Sequence, residues 1–155
     1  MIISDKMIDQ ELQVLVETIS THEFNRTFKH QARFNTRLRT TGGRYLLQSH
    51  DIEINPLMLT EFDKDNLMGV IRHELVHYHL HLNGLPHQHR DTAFKQLLSE
   101  VSGARYAPVT SKRRVNYIYE CPNGHRMERQ RRVNTKRYVC GRCREGLHEV
   151  ALVKE

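Results

Sequence analysis

Apolar positions recur at helical spacing in three stretches of the chain. The first stretch, residues 6–20, carries its apolar stripe at Ile8, Leu12, Leu15, Val16 and Ile19, which share one face of a helix with 3.6 residues per turn. Residues 61–82 show the strongest such pattern and end at a stop signal, Asn83-Gly84. Residues 91–104 show it again. The pattern predicts three helices, and the second is expected to be buried on most sides.

In the segment between the first two predicted helices, apolar side chains recur at every second position. Between residues 31 and 40 apolar or small side chains alternate with polar ones, which is typical of a strand. Thr41-Gly42-Gly43 is a turn signal, and residues 44–47 and 50–54 indicate one or two further strands. The stretch predicts a small antiparallel sheet after the first helix, and with it an α+β fold.

The last third of the chain differs in composition. Residues 1–104 hold 11 Lys and Arg against 13 Asp and Glu, whereas residues 105–155 hold 13 against 5, so the +6 of the whole chain comes from the end. Residues 105–116 are basic, contain Pro108 and predict a linker. Residues 117–155 then form a small module around the cysteines, and its positive charge suggests a polyanionic partner.

Composition also narrows the class of protein. With 155 residues there is room for one domain and a small appended module. The first 12 residues carry acids and no apolar core of a signal peptide, and no run approaches the ~18–20 apolar residues that cross a bilayer. We therefore expect a cytoplasmic protein with no membrane partner. An odd number of cysteines, three, favours metal binding over disulfides.

The central helix carries the motif His73-Glu74-Leu75-Val76-His77. Positions i and i+4 lie ~40° apart around a helix, so both imidazoles can hold one Zn²⁺. Glu74 points ~100° away from His73, beside the open coordination position, where a carboxylate can take a proton from water on the metal. The motif predicts a zinc-dependent hydrolase with Glu74 as its general base.

A catalytic zinc site needs a third protein ligand. His81 continues the spacing of the motif, but three ligands on one straight helix span ~12 Å, which is too far for one ion. His87 and His89 lie in the loop after the helix, and Glu100 lies in the next helix, as in thermolysin-like enzymes. The residues alone leave these three candidates open.

The cysteines predict a second metal site. Cys140 and Cys143 form a C-x2-C pair, whereas Cys121 has Gly124 where its partner cysteine would usually stand. His125 lies one residue further on, and thiolates with an imidazole suit tetrahedral zinc. We predict a structural Zn²⁺ held by Cys121, His125, Cys140 and Cys143. The alternative is a site that has lost a ligand and holds zinc weakly or not at all.

The segment from His73 to Leu82, followed by His89-Arg90-Asp91 and Phe94, resembles the SprT-like proteins, which are bacterial relatives of the eukaryotic protease Spartan. The resemblance covers roughly residues 5–153 and implies a minigluzincin-like metalloprotease domain at 1–104, with helices on the small antiparallel sheet, and a C-terminal zinc ribbon. It implies that His89 is the third ligand of the catalytic zinc, with Phe94 as a nearby aromatic residue. Because the His89–Phe94 spacing is one residue longer than in Spartan-like sequences, His87 stays the second choice and Glu100 the third.

The resemblance also implies a zinc metalloendopeptidase that acts on protein or peptide substrates bound or crosslinked to DNA. DNA would contact residues 105–155, where the candidate phosphate-binding side chains are Arg113, Arg114, Arg131, Arg132, Lys136 and Arg137. An edge strand within 31–54 is expected to bind the substrate by strand addition. A Tyr or Arg would stabilise negative charge on the substrate carbonyl, and the sequence does not choose between them.

Two other functions compete with this hypothesis. One is a non-catalytic zinc- and nucleic-acid-binding regulator, against which Glu74 argues, because a structural site has no use for that carboxylate. The other is a metal-dependent hydrolase of non-peptide substrates, which only a substrate screen would separate from a peptidase.

Overall fold

The computed structural model describes residues 7–112 and 115–150. The chain divides into two compact units, Met1–Lys112 and Arg113–Glu155. The first contains α1 (Asp9–Phe24), β1 (Ala32–Phe34), β2 (Gly43–Tyr45), β3 (Ile52–Ile54), a π-helical turn (Met58–Phe62), α2 (Lys64–Leu82) and α3 (Thr92–Glu100), and the second contains β4 (Tyr117–Glu120), β5 (Arg126–Arg129) and β6 (His148–Val150). No helix within the described ranges has the length and apolarity needed to cross a membrane.

The α+β class and the three helices are confirmed, but the predicted antiparallel sheet is wrong in one pairing. The strand order is β1-β3-β2, and β3 pairs parallel with β1 and antiparallel with β2. The predicted strand 31–40 ends at Phe34 because Asn35 turns the chain, with its side chain accepting the Arg37 N–H at 2.9 Å. The chain therefore leaves the sheet after β1 and returns at β2, on the far side of β3.

Helix α2 is the centre of the first unit. The Asp63 side chain caps its start by accepting the Asn66 N–H at 2.7 Å, and its core face packs with α1 and the sheet. The fully buried side chains there include Leu12, Val16, Ile52, Ile54, Leu67, Ile71 and Leu75. Another face packs Val76 and Leu80 against Phe94 and Leu98 of α3. The motif residues are thus held on a helix that is fixed from two sides.

Residues 103–111, which we call the strap, follow α3 and lie on the first unit, although the sequence predicts a linker over 105–116. The Ala104 N–H donates to the Gly69 carbonyl at 2.9 Å, and the Thr110 hydroxyl donates to the Arg39 carbonyl at 2.5 Å. The Ser111 N–H donates to the Glu61 carboxylate at 2.9 Å. The boundary between the units falls after Lys112 because these bonds hold a segment without regular structure against the first unit.

The second unit is a small antiparallel sheet with the order β5-β4-β6. Among its described residues the buried cluster consists of Tyr119, Cys121, Cys140 and Leu147, with Tyr117, Met127, Val133 and Cys143 partly buried against it. The Tyr119 hydroxyl accepts the Val133 N–H at 2.8 Å. A core of this size contributes too little burial to stabilise a fold alone, so another stabilising interaction is needed.

Candidate metal centres

Three imidazoles meet at one point of the first unit. His73 and His77 project from the same face of α2, and His89 comes from the loop before α3. The Nε2 atom of His89 lies 2.9 Å from Nε2 of His73 and 3.0 Å from Nε2 of His77. Ligand nitrogens around a tetrahedral zinc would be ~3.3 Å apart at the usual Zn–N length. The three atoms are therefore close to the spacing that one zinc ion requires.

Backbone carbonyls fix the tautomers of the two helix histidines. Nδ1 of His73 lies 2.6 Å from the Ala104 carbonyl oxygen, and Nδ1 of His77 lies 2.6 Å from that of His87. A carbonyl only accepts, so each Nδ1 carries the proton and each Nε2 presents a lone pair. Nε2 of His89 faces the Nε2 lone pairs of both His73 and His77, and it can donate a proton to one of them at most. In at least one of these contacts, therefore, two lone pairs face each other. A cation removes that repulsion, and the donor set fits Zn²⁺.

Burial favours the neutral form of the two helix imidazoles, His73 and His77. Burial lowers the pKa of His77 to about 4. Burial also lowers the pKa of His73, and the charge of a protonated His89 would add to this, while the bond to the Ala104 carbonyl acts in the opposite direction. Neutral imidazole is the form that binds a metal ion, so burial favours the metal-binding form of His73 and His77.

Phe94 forms the apolar wall behind the three histidines. Its buried ring has its centroid 5.2 Å from that of His73, 4.5 Å from that of His77 and 5.1 Å from that of His89. A single aromatic side chain thus contacts all three rings and limits their rotation, as expected for groups that support metal ligands.

The alternative third ligands lie elsewhere. His87 contributes its carbonyl, and its ring centroid is 6.1 Å from that of His77. Glu100 is exposed at the end of α3, and Nδ1 of His81 lies 2.6 Å from the Tyr45 hydroxyl. Over the described part of the chain, only two groups of three or more possible ligands converge, and the first is His73, His77 and His89.

Glu74 lies at the base of a cleft between α2 and β2. Burial raises the pKa of this carboxyl to about 8, and a positive ion beside it would favour the charged form instead. No described residue hydrogen-bonds the carboxylate, which lines a cavity of about 650 Å³ together with His73 and His77. A Cβ atom placed on Gly43 would lie 3.2 Å from the Glu74 Cγ, so the glycine leaves the room that the side chain occupies.

Strand β2 forms one wall of this cleft and is an edge of the sheet. The Asn55 N–H donates to the Gly42 carbonyl at 2.8 Å, and the Leu46 N–H donates to the Asp51 carbonyl at 2.9 Å. In an antiparallel pair, backbone groups alternate between facing the partner strand and facing away. The N–H and C=O groups of Gly43 and Tyr45 therefore point away from β3 and are available to an extended peptide.

A histidine–tyrosine network next to the cleft was not foreseen from the sequence. The Tyr45 hydroxyl lies 2.7 Å from Nδ1 of His50 and 2.6 Å from Nδ1 of His81. Burial raises the pKa of this phenol to about 12. The i, i+4 continuation from His77 to His81 was the one available signal, and it fixes only the face of the helix. The network ties β2 to the last turn of α2.

The second group of converging ligands is Cys121, His125, Cys140 and Cys143. The sulfur atoms of Cys121 and Cys143 are 3.6 Å apart, and Cys140 Sγ lies 3.5 Å from Nδ1 of His125. Sulfur ligands of a tetrahedral zinc would be ~3.8 Å apart. Gly124 has a φ of +83°, which favours glycine and lets the chain turn so that His125 faces the thiols. The predicted Cys₃His set thus lies together and fits zinc.

Local donors favour the thiolate form of the C-x2-C pair. Hydrogen bonds from the Asn123 side chain and the Glu145 N–H lower the pKa of Cys143 to about 6. The N–H groups of Cys143 and Arg142 lower the pKa of Cys140, while burial raises that of Cys121. Thiolates are the metal-binding form, so two of the three sulfurs are prepared for a cation.

The predicted phosphate-binding side chains are exposed where they are described. These are Arg131, Arg132, Lys136 and Arg137, whereas Arg113 and Arg114 lie outside the described residues. The Arg132 guanidinium lies 5.4 Å from the centre of the Tyr117 ring, and that of Arg137 lies 5.5 Å from the Tyr138 ring.

Comparisons with known proteins found one family and a set of similar bacterial proteins. The model of the SprT-like family matches residues 11–113. The chain is 60% identical over 141 residues to a "Protein SprT-like" of Lactiplantibacillus plantarum, covering 88% of this chain and 95% of the relative. It is 51% identical over 140 residues to the protein of that name from Enterococcus faecalis (88% and 92%), and 48% identical over 146 residues to that of Geobacillus kaustophilus (91% and 98%). No solved structure matches the chain significantly.

Proposed function

The chain belongs to the SprT-like family, and on this premise we propose that it is a zinc-dependent metallopeptidase that acts on DNA-associated proteins. One observation carries the proposal: the three converging imidazoles share a cleft with a buried carboxylate, that of Glu74, which is not one of the converging metal ligands. A purely structural zinc site is closed by a fourth protein ligand and leaves such a carboxylate without a role. A non-catalytic regulator does not account for Glu74.

Glu74 is the general base, and then the general acid, of the proposed reaction. His73, His77 and His89 would hold a zinc ion, and its Lewis acidity would serve to polarise a peptide carbonyl and to make water more acidic. The Glu74 carboxylate accepts the proton of the attacking water and passes it to the leaving amine. Because no described residue hydrogen-bonds this carboxylate, both of its oxygen atoms are free for the transfer. The Ala104 and His87 carbonyls keep the helix imidazoles in the orientation that the metal needs.

The proposed substrate is an extended peptide segment. The outward backbone groups of Gly43 and Tyr45 would pair with it as an added antiparallel strand, which places a peptide carbonyl over the histidine group. A segment that pairs by its backbone must be unfolded or lie in a loop, so we expect flexible regions of proteins to be cleaved. Backbone pairing also predicts weak dependence on the substrate sequence.

Cleavage of a DNA-bound protein is the experiment that tests the proposed function. The full chain, loaded with zinc, would be incubated with a DNA-binding protein in the presence and absence of DNA, and with unrelated ester and phosphoester substrates. We expect peptide-bond cleavage that a chelator stops and added zinc restores. Hydrolysis of only the non-peptide substrates would reject the peptidase proposal in favour of a different metal-dependent hydrolase.

DNA binding by the second unit predicts a steep salt dependence. Each phosphate contact contributes a slope of about −0.7 to −0.9 to a plot of log affinity against log salt. Replacing Arg131, Arg132, Lys136 and Arg137 with Gln should therefore flatten this slope by up to roughly 3. Fluorescence anisotropy with single-stranded and duplex DNA would measure it. An affinity that does not change with salt, or a slope that the four substitutions do not alter, would remove DNA from the proposal.

A further inference from the structure

Two cavities meet at the histidine group of the first unit. The cavity of about 650 Å³ lies on the β2 side, and one of about 790 Å³ lies on the α3 side, where Lys95 and Leu98 contribute to its lining. The residues that line both are His73, His89, Arg105 and Tyr106. A peptide that passes the histidine group from one cavity to the other must run beside these four. Its reacting carbonyl therefore lies next to Arg105 and Tyr106.

The strap holds the backbone of Tyr106 in place while leaving its side chain free. On one side, the Gly103 N–H donates to the Leu98 carbonyl at 3.0 Å and the Ala104 N–H donates to the Gly69 carbonyl at 2.9 Å. On the other side, the Thr110 hydroxyl bonds the Arg39 carbonyl. The Tyr106 side chain is 77% exposed. The anchors fix where the side chain starts, and no described residue hydrogen-bonds its hydroxyl.

The tyrosines and arginines that line the cleft differ in whether their polar groups already have partners. The Tyr45 hydroxyl already lies 2.7 Å from Nδ1 of His50 and 2.6 Å from Nδ1 of His81, and these two contacts hold it in that network. Nε of Arg44 lies 2.5 Å from the Glu53 carboxylate, on the opposite side of β2 from Tyr45. The Tyr106 hydroxyl has no hydrogen-bond partner among the described residues. Tyr106 is therefore the tyrosine of this cleft whose hydroxyl is not held by another described residue.

Arg105 acts on the ring of Tyr106. Its guanidinium carbon lies 5.3 Å from the ring centroid, which is a cation–π distance. A cation over the ring draws electron density from the phenol and makes its O–H a stronger donor. The same contact occupies the face of the guanidinium, which favours an indirect role for Arg105.

From this geometry we infer that the Tyr106 hydroxyl donates a hydrogen bond to the substrate carbonyl oxygen as negative charge develops on it, with Arg105 as a positioning residue. The inference rests on the proposed peptidase function. No bond is made or broken at Tyr106, because the phenol keeps its proton and only shares it with the oxygen. Such a donor acts on the transition state more than on the bound substrate.

Tyr106→Phe tests the inference with two readouts. Loss of one such donor should lower kcat for a quenched fluorescent peptide by roughly 10²-fold and change KM little. Affinity for a phosphinic analogue of the same peptide, measured by calorimetry, should fall by a similar factor, because its charged tetrahedral oxygens take the place of the developing charge. Tyr138→Phe is the matched control, since it is also an exposed tyrosine beneath an arginine, and should change neither quantity.

The outcomes distinguish this inference from the proposed function. A wild-type chain that cleaves the peptide, together with a Tyr106→Phe variant of equal kcat and equal affinity for the phosphinic analogue, overturns the inference alone. A loss of kcat in Arg105→Ala that exceeds the loss in Tyr106→Phe also overturns it, because the guanidinium would then be the donor. A zinc-loaded wild-type chain that neither cleaves the peptide nor binds the analogue overturns both.

Discussion

Replacing Glu74 with Gln is expected to lower the rate of peptide cleavage by about 10³-fold or more while the zinc content stays unchanged. Gln has nearly the same shape but accepts no proton at neutral pH, so the variant removes the base and keeps the volume. The three histidines, their carbonyl partners and Phe94 are untouched by the change. The loss should appear in kcat, because the proton transfer belongs to the reaction and not to substrate binding.

The same variant has a pH signature in the metal-free protein. Burial raises the pKa of Glu74 from its ordinary 4.5 to about 8, so the folded chain keeps a proton that the unfolded chain releases between these values. The free energy of unfolding of the metal-free wild type should therefore decline as the pH rises through this range. Glu74→Gln has no carboxyl to ionise, and its stability should lack this component. Urea denaturation of both chains at pH 6 and pH 9 would measure the difference.

The two measurements on Glu74→Gln separate catalysis from folding. If the variant is folded, carries as much zinc as the wild type and still cleaves at the wild-type rate, Glu74 is not the base and the proposed mechanism is wrong. Glu74→Asp offers an intermediate test, because it retains a carboxylate on a side chain shorter by one methylene. We expect partial activity from it, since the proton must then be transferred over a longer distance.

Removal of zinc is expected to unfold the second unit while the first stays folded. The buried cluster around Tyr119 is small, whereas a structural zinc in a small domain contributes on the order of 10–16 kcal/mol of apparent binding free energy. The first unit has its own core of α1, α2 and the sheet, and its metal site lies at the surface of a cleft. Chelation should therefore melt β4, β5 and β6 selectively.

Cys140→Ser should reproduce this effect without a chelator. Arg142→Ser is its matched control, since Arg142 lies in the same turn with its side chain exposed. Amide exchange followed by mass spectrometry would report protection in residues 115–150 and 7–112 of the same chain. Full protection of the second unit in Cys140→Ser or in chelated protein would show that the four predicted ligands do not support the fold through a metal.

Local patterns account for what could be predicted of the first unit. The apolar spacing of residues 61–82 predicted α2, and the motif placed His73 and His77 on one face because a helix fixes the positions of i and i+4. The spacing of the Cys140–Cys143 pair predicted the second group for a similar reason, since two residues between ligands define a tight turn. Each of these depends on residues that are close in the sequence.

Features that depend on distant residues were missed or needed the family resemblance. The alternating pattern of residues 31–40 did not predict the turn at Asn35, where the chain leaves β1. Because of this turn, β1 pairs parallel with β3. The strap is held by bonds such as that from Thr110 to Arg39, which are 71 residues apart. His89 was chosen over His87 by resemblance, because the path of a loop is set by tertiary contacts that spacing does not encode.

Zinc content of the purified full chain, compared with that of His89→Ala, tests the central claim most directly. The account predicts two zinc ions per wild-type chain by elemental analysis and one in the variant, with the remaining ion at the cysteine site. A wild-type chain that holds no metal at the histidine group and takes none up from a zinc buffer, or a variant with the same content as the wild type, would contradict it.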